Sequence, residues 1–287
     1  MSGPGTWAFG HAFTGRVPTR PFPTVAAEHA ALPRTRSQEL AGRRHPVLDS
    51  WFLPETPGPD TLAAHVLQTG NGGIWTDRAE SPRVALLHCG PQRVLRGDPR
   101  YVAPDRLALL GRGQFSAPDC FLPLLGRTFV HVFPWVRVIC TQQRRPATHR
   151  DLPADVRLRQ LGPADAVHLD ALAPGLRWIT ETWGSGRALA FAGTAWGAFA
   201  DDRLVSLAVG HLRGLAHEDV AVATVPEYRR RGLALACVRA TTAAIRRRGR
   251  MPSWTVPRSN DPSRALAAAA GFVPVRAEVA YWVGPAA

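Results

Sequence analysis

The C-terminal half of the chain changes its hydrophobic period in a readable order. Val156–Gln160 (VRLRQ) alternates as a strand does, and residues 163–172 move to helical spacing. Residues 194–200, 204–209 and 219–225 then read as three successive strands separated by polar or Gly breaks. Asp201-Asp202 is turn chemistry between the first two. The spacing predicts a helix from 233 to about 248, with Leu233, Ala236, Cys237, Ala240, Ala244 and Ile245 on one face and Gly249 ending it. Residues 253–256 read as a strand. Asp261 is placed to cap a short helix with Pro262 at its first position, running to Ala270 before Gly271. Residues 272–275 and 278–283 close the chain as two strands.

The first half is less patterned. Val84–Cys89 (VALLHC) predicts a strand, Gly90-Pro91 a turn, residues 94–95 a short strand, 118–125 a short helix and 136–140 another strand. Gly70-Asn71-Gly72-Gly73 lacks the strand-before, helix-after context of a phosphate loop and reads as a turn. Residues 142–155 (QQRRPATHRDLPAD) are polar and broken by prolines, as a linker would be. The division that follows is 1–45, an Arg/Pro-rich disordered tail; 46–145, an N-terminal α/β lobe; and 146–287, the lobe expected to hold the whole phosphate-ligand site, with the choice of a second substrate open to the first half. Helices interposed among sequential strands indicate an α/β fold with a mixed, α+β-like sheet.

Composition adds three constraints. No apolar run reaches the length of a membrane span. The four cysteines, Cys89, Cys120, Cys140 and Cys237, have no metal-ligand spacing, so no metal is expected and a reducing cytoplasm is. The formal charge is +13 and every basic residue other than histidine is Arg. Such charge serves nucleic-acid binding or the phosphates of a small ligand. Its densest cluster lies where a small ligand would be held.

That cluster is in VAVATVPEYRRRGLA, residues 220–234. A strand runs into Pro226, a loop carries Arg229, Arg230, Arg231 and Gly232, and a helix starts at once. The first-turn N–H groups of a helix have no intrahelical acceptor and attract anions. Gly232 lets a phosphate approach the backbone, and Ala234 keeps the next turn slim. Basic residues at a helix N-terminus oppose the dipole when nothing is bound, so three in a row point to an anion.

Arg229-Arg230-Arg231-Gly232-Leu233-Ala234 resembles the Arg/Gln-x-x-Gly-x-Gly/Ala signature of the GNAT acetyltransferases. Residues 224–228 resemble the family's strand-to-loop passage. Ser259-Asn260-Asp261-Pro262-Ser263, an Ala-rich helix and Gly271-Phe272 resemble its C-terminal ending. With Pro252 and Trp254, the pattern is most similar to a bacterial branch that includes antibiotic self-resistance acetyltransferases. The resemblance covers residues 156–283. It implies a GNAT-like fold there, with the first half open to being a degenerate copy. It also implies acetyl-CoA as co-substrate, bound by Thr224, Val225, Arg230, Arg231, Gly232, Leu233, Ala234, Asn260 and Ser263.

The implied reaction is direct attack of a small-molecule primary amine on the thioester, with no covalent enzyme intermediate. Glu218, six residues before Thr224 and on the same strand face, is the expected base, with Asp219 and Glu181 as substitutes. Trp178, Glu181 and Trp183 are expected at the amine. The family's usual general-acid Tyr, four residues before Gly-Phe, is Ala267 in this chain. Two other readings stay open: a catalytically silent acyl-CoA-binding regulatory module, and an Arg-rich nucleic-acid binder.

Overall fold

The computed structural model describes residues 46–147 and 151–285; the expected tail at 1–45 lies outside them. The first half opens with helices α1 (Pro46–Phe52) and α2 (Pro59–Thr69). Strands β1 (Gly73–Thr76), β2 (Val84–Cys89) and β3 (Gln92–Gly97) follow. Helix α3 (Pro104–Ala108), strand β4 (Gly113–Ser116), helix α4 (Leu122–Thr128) and strand β5 (Val132–Gln142) complete it. The second half runs β6 (Val156–Gln160), α5 (Ala166–Asp170), a 3-10 stretch over Pro174–Trp183 and α6 (Gly186–Ala192). It continues through β7 (Ala195–Ala200), β8 (Arg203–Arg213), β9 (His217–Thr224) and α7 (Leu233–Arg247). It ends with β10 (Met251–Pro257), α8 (Asp261–Ala269) and β11 (Phe272–Val283).

Among the described residues eleven strands form one mixed sheet in the order β1-β2-β3-β4-β11-β5-β10-β9-β8-β7-β6. The order is nearly symmetric about the β11–β5 seam. Each half contributes an antiparallel meander whose last strand pairs in parallel with the next. In the first half this is β3 with β4, Gln92–Val94 against Gln114–Ser116; in the second it is β9 with β10, residues 217–219 against 251–253. In each parallel pair the first strand runs into the same turn, a 3-10 helix over Pro99–Tyr101 after β3 or Pro226–Tyr228 after β9. The first half thus repeats the arrangement of the second.

The closing strands of the two halves are exchanged. β5 lies between β10 and β11, antiparallel to both, and β11 reaches back to pair with β4. The expected boundary at 145/146 is therefore crossed by the sheet, since β5 precedes it and pairs with β10 and β11 beyond it. Without residues 132–142, β10 and β11 each lose a neighbour.

Several expectations shift locally. The two expected end strands are one, because a bulge at Pro274/Arg276 absorbs the break in pattern without ending the pairing with β5. Asn260, not Asp261, caps α8: its Oδ1 accepts from Ser263 N–H at 3.2 Å, and Asp261 is already helical. Asp201 and Asp202 both take positive φ, 46° and 59°, as a tight two-residue hairpin turn requires.

α7 buries Leu233, Ala236, Cys237, Val238 and Ile245 against the sheet. They join a core that includes Val220, Trp254, Val256 and Phe272, with α8 supplying Ala267. The opposite face of β7–β9 is covered by α5, α6 and the 174–183 stretch, and Ala221 and Ala223 of β9 point into that core. Side chains on β9 thus alternate between an α7 side and the side that α2 and the 3-10 stretch approach.

Candidate active site

β9 and β10 are paired only as far as Asp219 and Ser253, although β9 continues to Thr224 and β10 to Pro257. The two strands part beyond that point and leave a wedge in the sheet. Val225 N–H donates to Val205 C=O on the β8 side. Backbone alternation then turns the N–H groups of Val220 and Val222 the other way, into the wedge. Such donors can polarise a carbonyl placed there.

Thr224, the last residue of β9 beyond the parting, lines a pocket of about 230 Å³ together with Tyr228, Arg229, Arg230, Gly232, Leu233, Ala234, Leu235 and Leu266. Gly232 is the N-cap of α7 at φ 81°, and a Cβ built on it would meet no heavy atom within 4 Å. The backbone is therefore open to a ligand exactly where the first-turn N–H groups of α7 point. Arg230 also holds a positive φ, 63°, in this loop. Guanidinium groups and leucines in one lining match a phosphate-bearing ligand with a slender apolar arm. The residues present fit the coenzyme A that the sequence motif implies.

Five of the nine residues expected around that ligand line the pocket: Thr224, Arg230, Gly232, Leu233 and Ala234. Arg229, left out of the expected set, lines it too. Arg231 turns away, ion-pairing with Asp155 at 3.2 Å and lying over the Tyr228 ring at 5.1 Å. Val225 is buried and shapes the strand end. Asn260 and Ser263 are joined in the α8 cap, and Ser263 Oγ also accepts from Trp254 Nε1–H at 3.2 Å. Helix α8 meets the pocket through Leu266 instead.

The first half has the matching turn but not the anion site. Asp98 caps the Pro99–Tyr101 turn, accepting from Arg100 N–H at 2.9 Å, and Asp105 sits in the first turn of α3 after Pro104. Carboxylates there repel phosphate, and α3 has only five residues.

Glu218, the expected base, lies on the α7 side of β9. Its side chain faces α7 and is fully buried. Arg248 donates to both its oxygens, at 3.0 and 2.5 Å, and Arg250 donates to Oε1 at 3.2 Å. Both of its oxygens are thus engaged by guanidinium donors. Asp219 lies on the other face. Its Oδ1 accepts from the hydroxyls of Ser253, at 3.0 Å, and Thr255, at 3.2 Å. Burial pushes its carboxyl up to about 6, against the lowering effect of those hydroxyls and of Arg137.

The 174–183 stretch lies over this side of the sheet. Trp183 is buried, donates from Nε1 to Gly210 C=O at 2.9 Å and meets His65 edge-on at 4.9 Å. Trp178 is half-buried with its ring 5.8 Å from that of His211. Glu181 is exposed and packs beside Gly90 in the β2–β3 turn. A signal that the sequence reading overlooked is His65 of α2. It is fully buried, with Nε2 2.8 Å from Thr182 C=O and Nδ1 accepting Arg213 N–H at 2.9 Å. Those two bonds fix its tautomer and tie the first half to the stretch over the site. Burial pushes it below the usual histidine range. Ala267 is buried in the α7–α8 core and supplies no proton.

A profile of GNAT acetyltransferases matches residues 140–281. An uncharacterized N-acetyltransferase encoded in the mutA 5′ region of Streptomyces virginiae is 40% identical over 237 residues, covering 82% of this chain and 99% of that protein. Among solved structures, a GCN5-related N-acetyltransferase-like protein from Streptococcus suis superimposes with a TM-score of 0.65 at 19% identity, over 82% of this chain and 96% of that one. A tandem GNAT protein from the clavulanic acid biosynthesis pathway does so with a TM-score of 0.52 at 14% identity, over 85% and 92%. Among the described residues no helix is long and apolar enough to cross a membrane.

Proposed function

This chain belongs to the GNAT family of acetyltransferases, and on that premise we propose that it transfers the acetyl group of acetyl-CoA to a primary amine of a small molecule in the cytoplasm. The observation that carries the proposal is that Thr224, where β9 ends after parting from β10, lines the pocket at Gly232. Acetyl-CoA supplies the activated acetyl group. Thr224, Arg229, Arg230 and the first turn of α7 would hold its phosphates, and Leu235 and Leu266 would flank its arm. The N–H groups of Val220 and Val222 would stabilise the oxyanion formed on attack. The amine approaches from the face opposite α7, where α2 and the 174–183 stretch enclose the sheet.

The experiment is thiol release from acetyl-CoA in the presence of a panel of amino-bearing natural products, amino acids and polyamines. Acceptor-dependent release supports transfer. One further reading has an observation in its favour: with Ala267 where a general acid would stand and Glu218 locked by arginines, the chain could serve as an acyl-CoA-binding module. Tight acetyl-CoA binding in calorimetry, without release on any amine, would favour that reading.

A further inference from the structure

We propose that a cavity at the junction of the two halves receives a carboxylate of the acceptor, with Arg137 of β5 as its binding cation. The preferred acceptor then carries an amine at one end and a carboxylate at the other. The inference rests on the acetyl-transfer reading above and names the substrate class of that site.

The halves meet on the face opposite α7. Gln92 of β3 approaches His211 of β8, Nε2 to Nε2 at 3.4 Å. Beside this contact lies a cavity of about 10 Å³, lined among others by Gln92, Ser116 of β4, Arg137, Leu212 of β8 and Thr255 of β10. It has room for one water-sized group, so it takes the tip of a ligand and not its body. Thr255 joins it to the wedge: its hydroxyl donates to Asp219 Oδ1 at 3.2 Å, and Asp219 is the last residue of β9 paired with β10.

The Arg137 side chain is 5% exposed. Its Nη2 donates to Ser116 Oγ at 2.6 Å and to Glu278. Its Nε, also buried, has no hydrogen-bond partner among the described residues. A buried donor left unpaired is costly and uncommon, and it marks a place for a further group. Charge favours an anion. Glu278 is shared between Arg137 and Arg276, the latter at 3.6 Å, so one carboxylate faces two guanidinium groups. None of the residues lining the cavity is acidic. Arg93, the other arginine of the lining, gives its Nε and Nη1 to the carbonyls of Leu110 and Gly90, at 2.8 and 2.5 Å. Arg137 is therefore the cation that a ligand meets. Guanidinium–carboxylate hydrogen bonds are charge-assisted and roughly twice as strong as neutral ones. Ser116 Oγ, which accepts from Arg137, keeps its own hydrogen for a second oxygen.

The sheet order sets the length of the acceptor. β10 lies between β9 and β5, and adjacent strands are about 4.8 Å apart. The guanidinium then extends away from β10, past β11, to reach Ser116 of β4. An amine at the wedge and a carboxylate at Arg137 are thus farther apart than the α-amine and carboxylate of one amino acid. An ω-amino acid spans the gap.

The test uses the full chain and three ligands of equal length: ω-aminopentanoate, pentylamine and pentanoate. The wild type should use ω-aminopentanoate with kcat/KM about 10- to 100-fold above that for pentylamine, the difference lying in KM. Arg137→Met should abolish that preference. Pentanoate has no amine to acetylate. It should bind the acetyl-CoA complex of the wild type in saturation-transfer NMR and compete with the amine, and it should do neither with Arg137→Met. A wild type without the preference, or one to which pentanoate does not bind, overturns the inference. So does a folded Arg137→Met chain that keeps the preference. If that variant does not fold, pentanoate binding to the wild type decides. Absence of thiol release by the wild type on every amine defeats the transfer reading itself, and the pentanoate titration then still tests the cavity.

Discussion

Glu218 and Arg248 form a two-point ion pair, Nε to Oε1 at 3.0 Å and Nη2 to Oε2 at 2.5 Å, joining the start of β9 to the C-terminal cap of α7. The carboxylate is inaccessible, and the Arg248 and Arg250 side chains are about three-quarters buried. Removing one member of such a pair leaves the others desolvated without compensation, at a cost of about 3 kcal/mol or more. Glu218→Ala should therefore lower unfolding free energy by that order in urea titration while acetyl-CoA affinity, measured by calorimetry under native conditions, changes little. Unaltered stability together with lost turnover would restore Glu218 as the base.

A second prediction concerns Gly232. Its φ of 81° is unfavourable to L side chains, and any Cβ would project into the open space at the α7 N-terminus. Gly232→Glu adds bulk and negative charge there. Acetyl-CoA affinity should fall by at least about tenfold, the equivalent of about 1.4 kcal/mol, with circular dichroism unchanged. Gly232→Ala should cost less, since it adds backbone strain without the repulsive charge.

A third prediction follows from the exchanged strands. A fragment of residues 146–287 lacks β5, which pairs with β11 from Phe272 to Val283 and with β10 from Ser253 to Pro257. The fragment would expose two unpaired strand edges, a recognised route to aggregation. It should be insoluble or unfolded alone, and co-expression with residues 46–145 should restore solubility and acetyl-CoA binding. A soluble fragment that binds acetyl-CoA as tightly as the full chain would show that β5 is dispensable.

These corrections show which features local patterning can reveal. The 220–234 segment was legible because strand, proline, Arg run, Gly and helix are contiguous, and each carries its own chemistry. The α7 boundaries followed from Gly232 and Gly249, whose positive φ values of 81° and 74° mark its two ends. The position of β5 was not legible. Residues 136–140 announce a strand, but nothing local says that it will pair with residues over a hundred positions away. Glu218 and Asp219 were distinguishable in facing but not in partners, since Arg248 and Arg250 reach Glu218 only after α7 has folded back. α2 (PDTLAAHVLQT) was missed despite Pro at its first turn and Gly70 at its C-cap; its buried His65 interrupts the apolar face with a polar residue whose hydrogen-bond partners come from the other half.

The last prediction is the pH dependence of stability in Asp219→Asn. Asp219 has a folded pKa raised from 3.8 to about 6, so the folded state binds more protons than the unfolded state between those values. Its contribution is fully present below about 3.8 and is lost as pH rises through about 6. In the wild type, ionised Asp219 therefore lowers stability at neutral pH by about 3 kcal/mol relative to its protonated form. His211 acts with the opposite sign. Burial and nearby His65 hold it down at about 4, so the unfolded state binds more protons between about 4 and 6.5, and stability falls as pH drops through that window. In the wild type the two slopes largely cancel between pH 4 and 6. Asparagine reproduces the protonated carboxyl without its titration. Asp219→Asn should consequently be more stable than wild type at pH 8 by the order of 1–3 kcal/mol, and should lose stability more steeply on acidification from pH 6.5 to 4. Urea midpoints across that range measure both. Equal or lower stability of Asp219→Asn at pH 8 would instead identify Asp219 as a structural partner of Ser253 and Thr255.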